Sequence, residues 1–392
     1  MRGRFKNFPF RAFVNTPYKK RQRMYDMSKI VILTNSITGL RSFRLEVMKK
    51  FRDEGHSVTI YCPQHEETEE FTEIGCEVKF VKNIQRRGTS IKTDIKLFLE
   101  YFKILGREKP DMVFTYTIKP NIYGALACAV RGIPCAPNIT GLGSAVENGG
   151  KMQKLTVFLY KLGFVSVKKV FFQNQENMDF FVKKKIALGK HELLPGSGVN
   201  LEKFQLMPYP EKETVEFAFI SRIMKEKGAD QYLEAAECIK EKYPNTVFHV
   251  CGNCEEAYQE KLASLHDKGI INYHGRLRDI REIHKEIHCT IHPTYYPEGM
   301  SNVLLESCAS GKAIITTDRS GCREVVDDGV NGYVVKQKDT QDVIAKIEKF
   351  LALTFEERKE MGLRGRKKVE KEFDRNIVVE KYMVALYEFA RK

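Results

Sequence analysis

Short apolar runs alternate with longer stretches of helical periodicity along most of the 392-residue chain. Apolar runs of this length, separated by helical patterns, predict parallel strands buried on both faces and joined by crossover helices. Lys29–Leu33 predicts the first strand, and a helix over Phe43–Glu54 follows it, closed by Gly55 in the usual C-terminal manner. Ser57–Tyr61, Glu77–Val81 and Met112–Thr115 continue the series. The two prolines and charge run of Pro208–Glu213 interrupt both periodicities and predict a linker. Beyond it, strands are predicted at Glu216–Ser221, Val247–Cys251, Ile270–His274, Thr290–His292 and Ala313–Thr316. The chain is therefore expected to divide into an N-terminal extension (1–27), two Rossmann-like α/β domains (28–207 and 213–375) and a closing helix (376–392). Ligands of such sheets gather at the carboxyl ends of the strands, so substrates are expected in a cleft between the domains.

Composition narrows the class. Hydrophobic content of 42% and charged content of 30% are those of a globular chain. No run of about 18 apolar residues predicts a membrane span. Residues 1–26 hold eight basic side chains against Asp26 alone and contribute half of the formal +14. They lack the apolar core of a secretory signal. Two readings stand: an arm for anionic lipid, or an extension ahead of a natural start at Met27. Ten cysteines without dense spacing fit a reduced cytoplasm. Cys251-x-x-Cys254 has no second pair to complete a zinc site and reads as a strand-end turn. His284 and His288 lack the zincin spacing and read as structural or surface histidines. No aromatic-basic pattern supports nucleic acid.

Two segments carry candidate chemistry. Arg222 and Lys227 follow a predicted strand, with Gly228 giving the backbone freedom to bring both onto phosphate oxygens. Arginine grips two oxygens and lysine acts as a point charge. In a water-poor cleft they would stabilise a diphosphate as it leaves. Downstream, Pro297-Glu298-Gly299-Met300-Ser301-Asn302-Val303-Leu304-Leu305-Glu306 sets two glutamates around a helix start. Ser301 or Asn302 is expected to cap a helix over Val303–Ser310, ended by Gly311. Its first N–H groups suit a phosphate. Glu306, in the second turn, can accept from vicinal ribose hydroxyls, and Glu298, nearer the loop tip, can reach a transferred sugar.

This set, with Leu305–Ala313 and Gly321–Val335, resembles the retaining GT-B glycosyltransferases of family 4. Pro195–Phe204, including Gly198, resembles the same family's segment before the interdomain hinge. The resemblance implies a nucleotide-diphosphate sugar donor, retention at the anomeric carbon, and neither a cofactor nor an essential metal. No Asp-x-Asp triplet is present. Arg222, Lys227 and Glu298 would be catalytic. Gly198, Arg222, Lys227, Arg278, Glu298, Met300, Ser301, Asn302, Val303 and Glu306 would hold the donor.

The first domain departs from the broad family. Asn35-Ser36-Ile37-Thr38-Gly39 stands where many relatives carry a double glycine, and Ile118-Lys119-Pro120 stands where many carry His-x-Pro. Its pattern is similar to transferases that extend undecaprenyl-diphosphate-linked sugars in bacterial glycan assembly, among them the diacetylbacillosaminyl-diphosphoundecaprenol N-acetylgalactosaminyltransferase subgroup. The expected acceptor residues are Asn35, Gly39, Arg44, Lys119, Asn138, Thr140 and Gly141. The apolar Leu155–Val165, flanked by Lys151, Lys154, Lys168 and Lys169, reads either as an interfacial helix on the inner membrane face or as a core helix. The expected activity is transfer from a UDP-sugar to a lipid-diphosphate-linked glycan. A non-hydrolysing UDP-sugar 2-epimerase and a catalytically silent membrane scaffold are the alternatives.

Overall fold

The structure, a computed structural model, describes residues 27–65, 68–84, 90–143, 146, 149–297 and 299–391. The basic head and Glu298 lie outside the described residues. Seven strands form the first sheet: β1 (Lys29–Leu33), β2 (Ser57–Cys62), β3 (Glu77–Phe80), β4 (Met112–Tyr116), β5 (Cys135–Ile139), β6 (Val170–Phe172) and β7 (His191–Leu193). Six form the second: β8 (Val215–Ile220), β9 (Thr246–Cys251), β10 (Asn272–Tyr273), β11 (Cys289–His292), β12 (Ala313–Thr317) and β13 (Gly332–Val335). Their orders are β3-β2-β1-β4-β5-β6-β7 and β10-β9-β8-β11-β12-β13, with parallel pairing throughout. This is the predicted α/β architecture of two Rossmann-like sheets. In each, the strand order reverses beside the first strand, at β1/β4 and at β8/β11. A crevice opens at such a reversal because the connections leave in opposite directions.

Local chemistry sets the elements. The four residues of β11 and the five of β12 are wholly buried, as in parallel strands covered on both faces. The helix after β1 spans Ile37–Asp53, six residues earlier than its predicted start. Ser36 caps it by accepting from the Gly39 N–H, a local bond that apolar periodicity does not report.

The chain is not partitioned as a simple succession. Val199 and Phe204 already pack into the second body's core with Leu304, Leu305 and Val369. The crossing therefore lies upstream of the prolines predicted as the linker. The C-terminal helix Arg375–Phe389 returns to the first body, where Tyr382 is buried against Phe114 and Phe171. The two crossings pair with each other: Val199 N–H donates to Phe373 O (2.8 Å) and Arg375 N–H to Val199 O (3.0 Å). Among the described residues, no helix is long and apolar enough to cross a membrane.

Candidate active site

The second body contributes its strand ends at β8 and β11. The chain leaves β8 at Ile220, and the turn Lys225–Lys227 leads into the helix Ala229–Lys242. After β11, the Tyr295 N–H and the Thr294 hydroxyl both donate to Glu226 O (2.9 and 3.3 Å). That clasp ties the two loops together and brings Tyr296 beneath two cations. Lys227 Nζ lies 4.7 Å and the Arg222 guanidinium carbon 5.7 Å from the ring centroid. Arg222 and Lys227, expected to converge on phosphate oxygens, both lie over one aromatic ring that sequence reading missed.

Beside them the helix Asn302–Ala309 begins. Ser301 occupies its N-cap but its side chain makes no capping bond, and among the described residues no side chain accepts from the first-turn N–H groups. Ser301 is held through its backbone instead, donating to Gly321 O (2.7 Å). Glu306 is half-buried one turn further on, and no other described residue hydrogen-bonds its carboxylate. Burial pushes that carboxyl up to about 7, although Arg375 and Lys203 pull the other way. Met300 is buried, Val303 packs on the strand-end cluster around Ile220, and Arg278 is exposed after β10. His284 and His288 are core groups. Burial lowers them to about 3 and about 4, and they bond to Ser310 Oγ and to the Glu216 N–H.

The first body faces this edge with the loops after β1, β4, β5 and β6. A cavity of about 250 Å³ lies between the bodies, lined by Thr34, Ser36, Gly39, Arg44, Tyr116, Thr117, Thr140, Gln173 and Ser197 on one side and Gly299, Met300 and Asn302 on the other. Of the acceptor residues expected from sequence, Gly39, Arg44 and Thr140 line it. Asn138 lies behind, with its amide donating to Thr115 O (3.2 Å) and its Oδ1 accepting from the Tyr382 hydroxyl. Lys119 is turned to Asp94 (2.8 Å) and away from the cavity, and Asn35 and Gly141 stand outside the lining. Gly198 sits at the crossing, where its carbonyl accepts from Arg375 (3.1 Å). Tyr116, Thr117, Gln173 and Ser197 escaped sequence reading because only the strand order shows that their strand ends meet.

The bodies touch through the loop that precedes the Asn302 helix. Asn174 Nδ2 donates to Gly299 O (2.7 Å), and a Cβ on Gly299 would stand 2.3 Å from Thr140 O. Only a glycine admits that approach.

Residues 29–174 match the model of the family described as "Glycosyl transferase 4-like", and residues 205–368 that of "Glycosyl transferases group 1". The N,N'-diacetylbacillosaminyl-diphospho-undecaprenol alpha-1,3-N-acetylgalactosaminyltransferase of Campylobacter jejuni is 27% identical over 91% of this chain and 97% of that protein. The UDP-Gal:alpha-D-GlcNAc-diphosphoundecaprenol alpha-1,3-galactosyltransferase of Escherichia coli is 23% identical over 79% of this chain and 83% of its own length. The crystal structure of Anabaena Alr3699/HepE in complex with UDP and glucose superposes with a TM-score of 0.76 at 16% identity, covering 92% of this chain and all of that one. At that identity it bears on the fold alone.

Gly228 shapes the cation turn directly. Its φ is +79°, and a Cβ there would stand 2.2 Å from Pro293 O. Gly228→Ala is expected to destabilise the second body by on the order of 3 kcal/mol, read as a lower urea midpoint. An unchanged midpoint would contradict this account of the turn.

Proposed function

A glycosyl transferase 4-like domain followed by a glycosyl transferases group 1 domain makes this chain a glycosyltransferase, and from that premise we propose that it moves a sugar, with retention, from a UDP-sugar to a lipid-diphosphate-linked glycan. The observation that carries the reading is the pair of cations held over Tyr296 beside a helix start without a side-chain cap. Cations and the first N–H groups of a helix at one strand edge suit a diphosphate, whose charge grows as its bond to the sugar breaks. Glu306, one turn along the same helix, suits the ribose hydroxyls. The names of both bacterial relatives support a diphosphoundecaprenol-linked acceptor. UDP draws support from the E. coli name.

In the proposed mechanism, Arg222 and Lys227 hold the diphosphate oxygens. The acceptor hydroxyl approaches the anomeric carbon from the face the diphosphate leaves, so configuration is kept. A new carbon–oxygen bond forms as the old one breaks, and the acceptor's proton passes to the departing phosphate oxygen. No protein nucleophile is required, and the two cations with the helix start carry the charge without a metal. Glu298 is assigned to the transferred sugar's hydroxyls.

A lipid-linked acceptor places the work at a membrane surface, and the helix Gly150–Gly163 supports that placement. One face buries Thr156, Tyr160 and Gly163 in the first body. The other exposes Met152, Leu155, Phe158, Leu162 and, just past its end, Val165, among the exposed Lys151, Lys154 and Lys161. One face is thus that of a core helix, and the exposed apolar face with its lysines supports the interfacial reading.

Three outcomes are expected. Lipid-diphosphate sugar and UDP-sugar together should yield a glycosylated lipid with the donor's anomeric configuration, and Lys227→Ala should lower kcat about 10²-fold or more. Epimerised UDP-sugar without acceptor, or near-normal turnover of Lys227→Ala, would overturn the reading or the lysine's role. UDP affinity should weaken as pH falls through about 7, because protonation removes the acceptor-only carboxylate of Glu306. Glu306→Gln should lose that limb of the pH profile, and a limb that persists in the variant would assign it elsewhere. Replacing Leu155, Phe158 and Leu162 together with serine should cut sedimentation with anionic liposomes several-fold, and unchanged sedimentation would remove this helix from the membrane contact.

A further inference from the structure

The loop that leads into the helix Asn302–Ala309 is held from both bodies. Gly299 O accepts from Asn174 Nδ2 of the first body (2.7 Å), and the Ser301 N–H donates to Gly321 O of the second (2.7 Å). Between them Met300 packs on the outgoing crossing, where a Cβ on Gly196 would stand 2.4 Å from its side chain. A Cβ on Gly299 would stand 2.5 Å from Gln173 Oε1 as well as against Thr140 O. Gln173 is itself fixed, since its amide donates to Ser197 Oγ (3.2 Å). The loop therefore has no slack on its first-body side.

Asn174 uses both ends of its amide. It stands at the N-cap of the helix Gln175–Lys183, where its Oδ1 accepts from the Asn177 N–H (2.8 Å). Capping needs only an oxygen, and aspartate or serine supplies one as well. The amide nitrogen is what they lack, and the nitrogen is what reaches across to Gly299. Asn174 is 3% exposed and Gly299 is buried, so without that nitrogen Gly299 O would have no water at hand to replace it. Glu298 precedes Gly299 in the chain, and the first N–H groups of the Asn302 helix follow three residues on. Both are assigned above to the donor. We propose that Asn174 is a positioning residue for the donor, a first-body side chain that sets the second body's sugar-diphosphate loop through Gly299. This rests on the transferase reading above and adds to it a residue that acts through the loop rather than on substrate.

The test compares Asn174→Ser and Asn174→Asp with the wild-type chain, by calorimetric binding of UDP-hexoses and UDP-N-acetylhexosamines and by steady-state kinetics. Both variants keep a capping oxygen. Serine is too short to reach Gly299 O, and aspartate turns an acceptor toward it. The UDP-sugar Kd and KM should rise about tenfold in Asn174→Ser, the equivalent of one buried hydrogen bond, and further in Asn174→Asp, while the acceptor KM holds. A role confined to capping predicts instead that Asn174→Asp binds UDP-sugar as the wild type does. That result, or a rise in the acceptor KM alone, would overturn the proposal. Should Asn174→Asp fold poorly, Asn174→Ser carries the donor comparison by itself, and wild-type donor affinity there would be equally fatal. A wild-type chain that binds UDP-sugar yet glycosylates no lipid would sink the transferase reading, and the binding comparison would still judge Asn174.

Discussion

Arg375 joins the two halves of the molecule. It stands where the chain crosses back to the first body, and its guanidinium donates to Glu46 (2.8 and 3.0 Å), to Ser42 O (3.2 Å) and to Gly198 O (3.1 Å). Glu46 also accepts from Asn200 on the outgoing crossing (2.7 Å). A planar fork can satisfy a carboxylate and two carbonyls at once, which a lysine could not. Both crossings are thereby tied to one helix of the first body, and the strand edges at β1/β4 and β8/β11 face each other. The cavity and the touching Gly299 loop both depend on that register.

In the proposed reading, the second body prepares an anion site before any anion arrives. Arg222 and Lys227 both lie over the Tyr296 ring, and the clasp to Glu226 O holds the loop that carries Tyr296. Two like charges in proximity repel, and the ring's electron density offsets part of that cost. A ligand carrying negative charge then meets groups already placed, which lowers the ordering cost of binding. Glu306 is tuned in the opposite sense, since its burial disfavours the charged form until hydroxyl donors meet it.

Much of this was legible along the chain. β1 runs over Lys29–Leu33 as predicted, and β8 to β12 differ from expectation by one or two residues at their ends, while β13 (Gly332–Val335) was not predicted. Gly311, with φ at +78°, follows the helix it was expected to end. β6 and β7, three residues each, were too short to separate from their helical neighbours. Lys119 looked like a candidate for an acceptor phosphate, and its pairing with Asp94, 25 positions earlier, was beyond any local pattern.

The sequence by itself determined the two-sheet α/β class, the cation pair after β8 and the glutamate-bearing helix start, since each is written in the local order of residues along the chain. Only the tertiary structure decided where the chain crosses, that the last helix belongs to the first body, and that Asn174 meets Gly299 between the bodies. Arg44 and Tyr382 are 338 positions apart and Asn174 and Gly299 are 125 apart. Such bonds form because folding places strand ends side by side. Apolar periodicity reports which face of an element is buried, and is silent on what lies across from it.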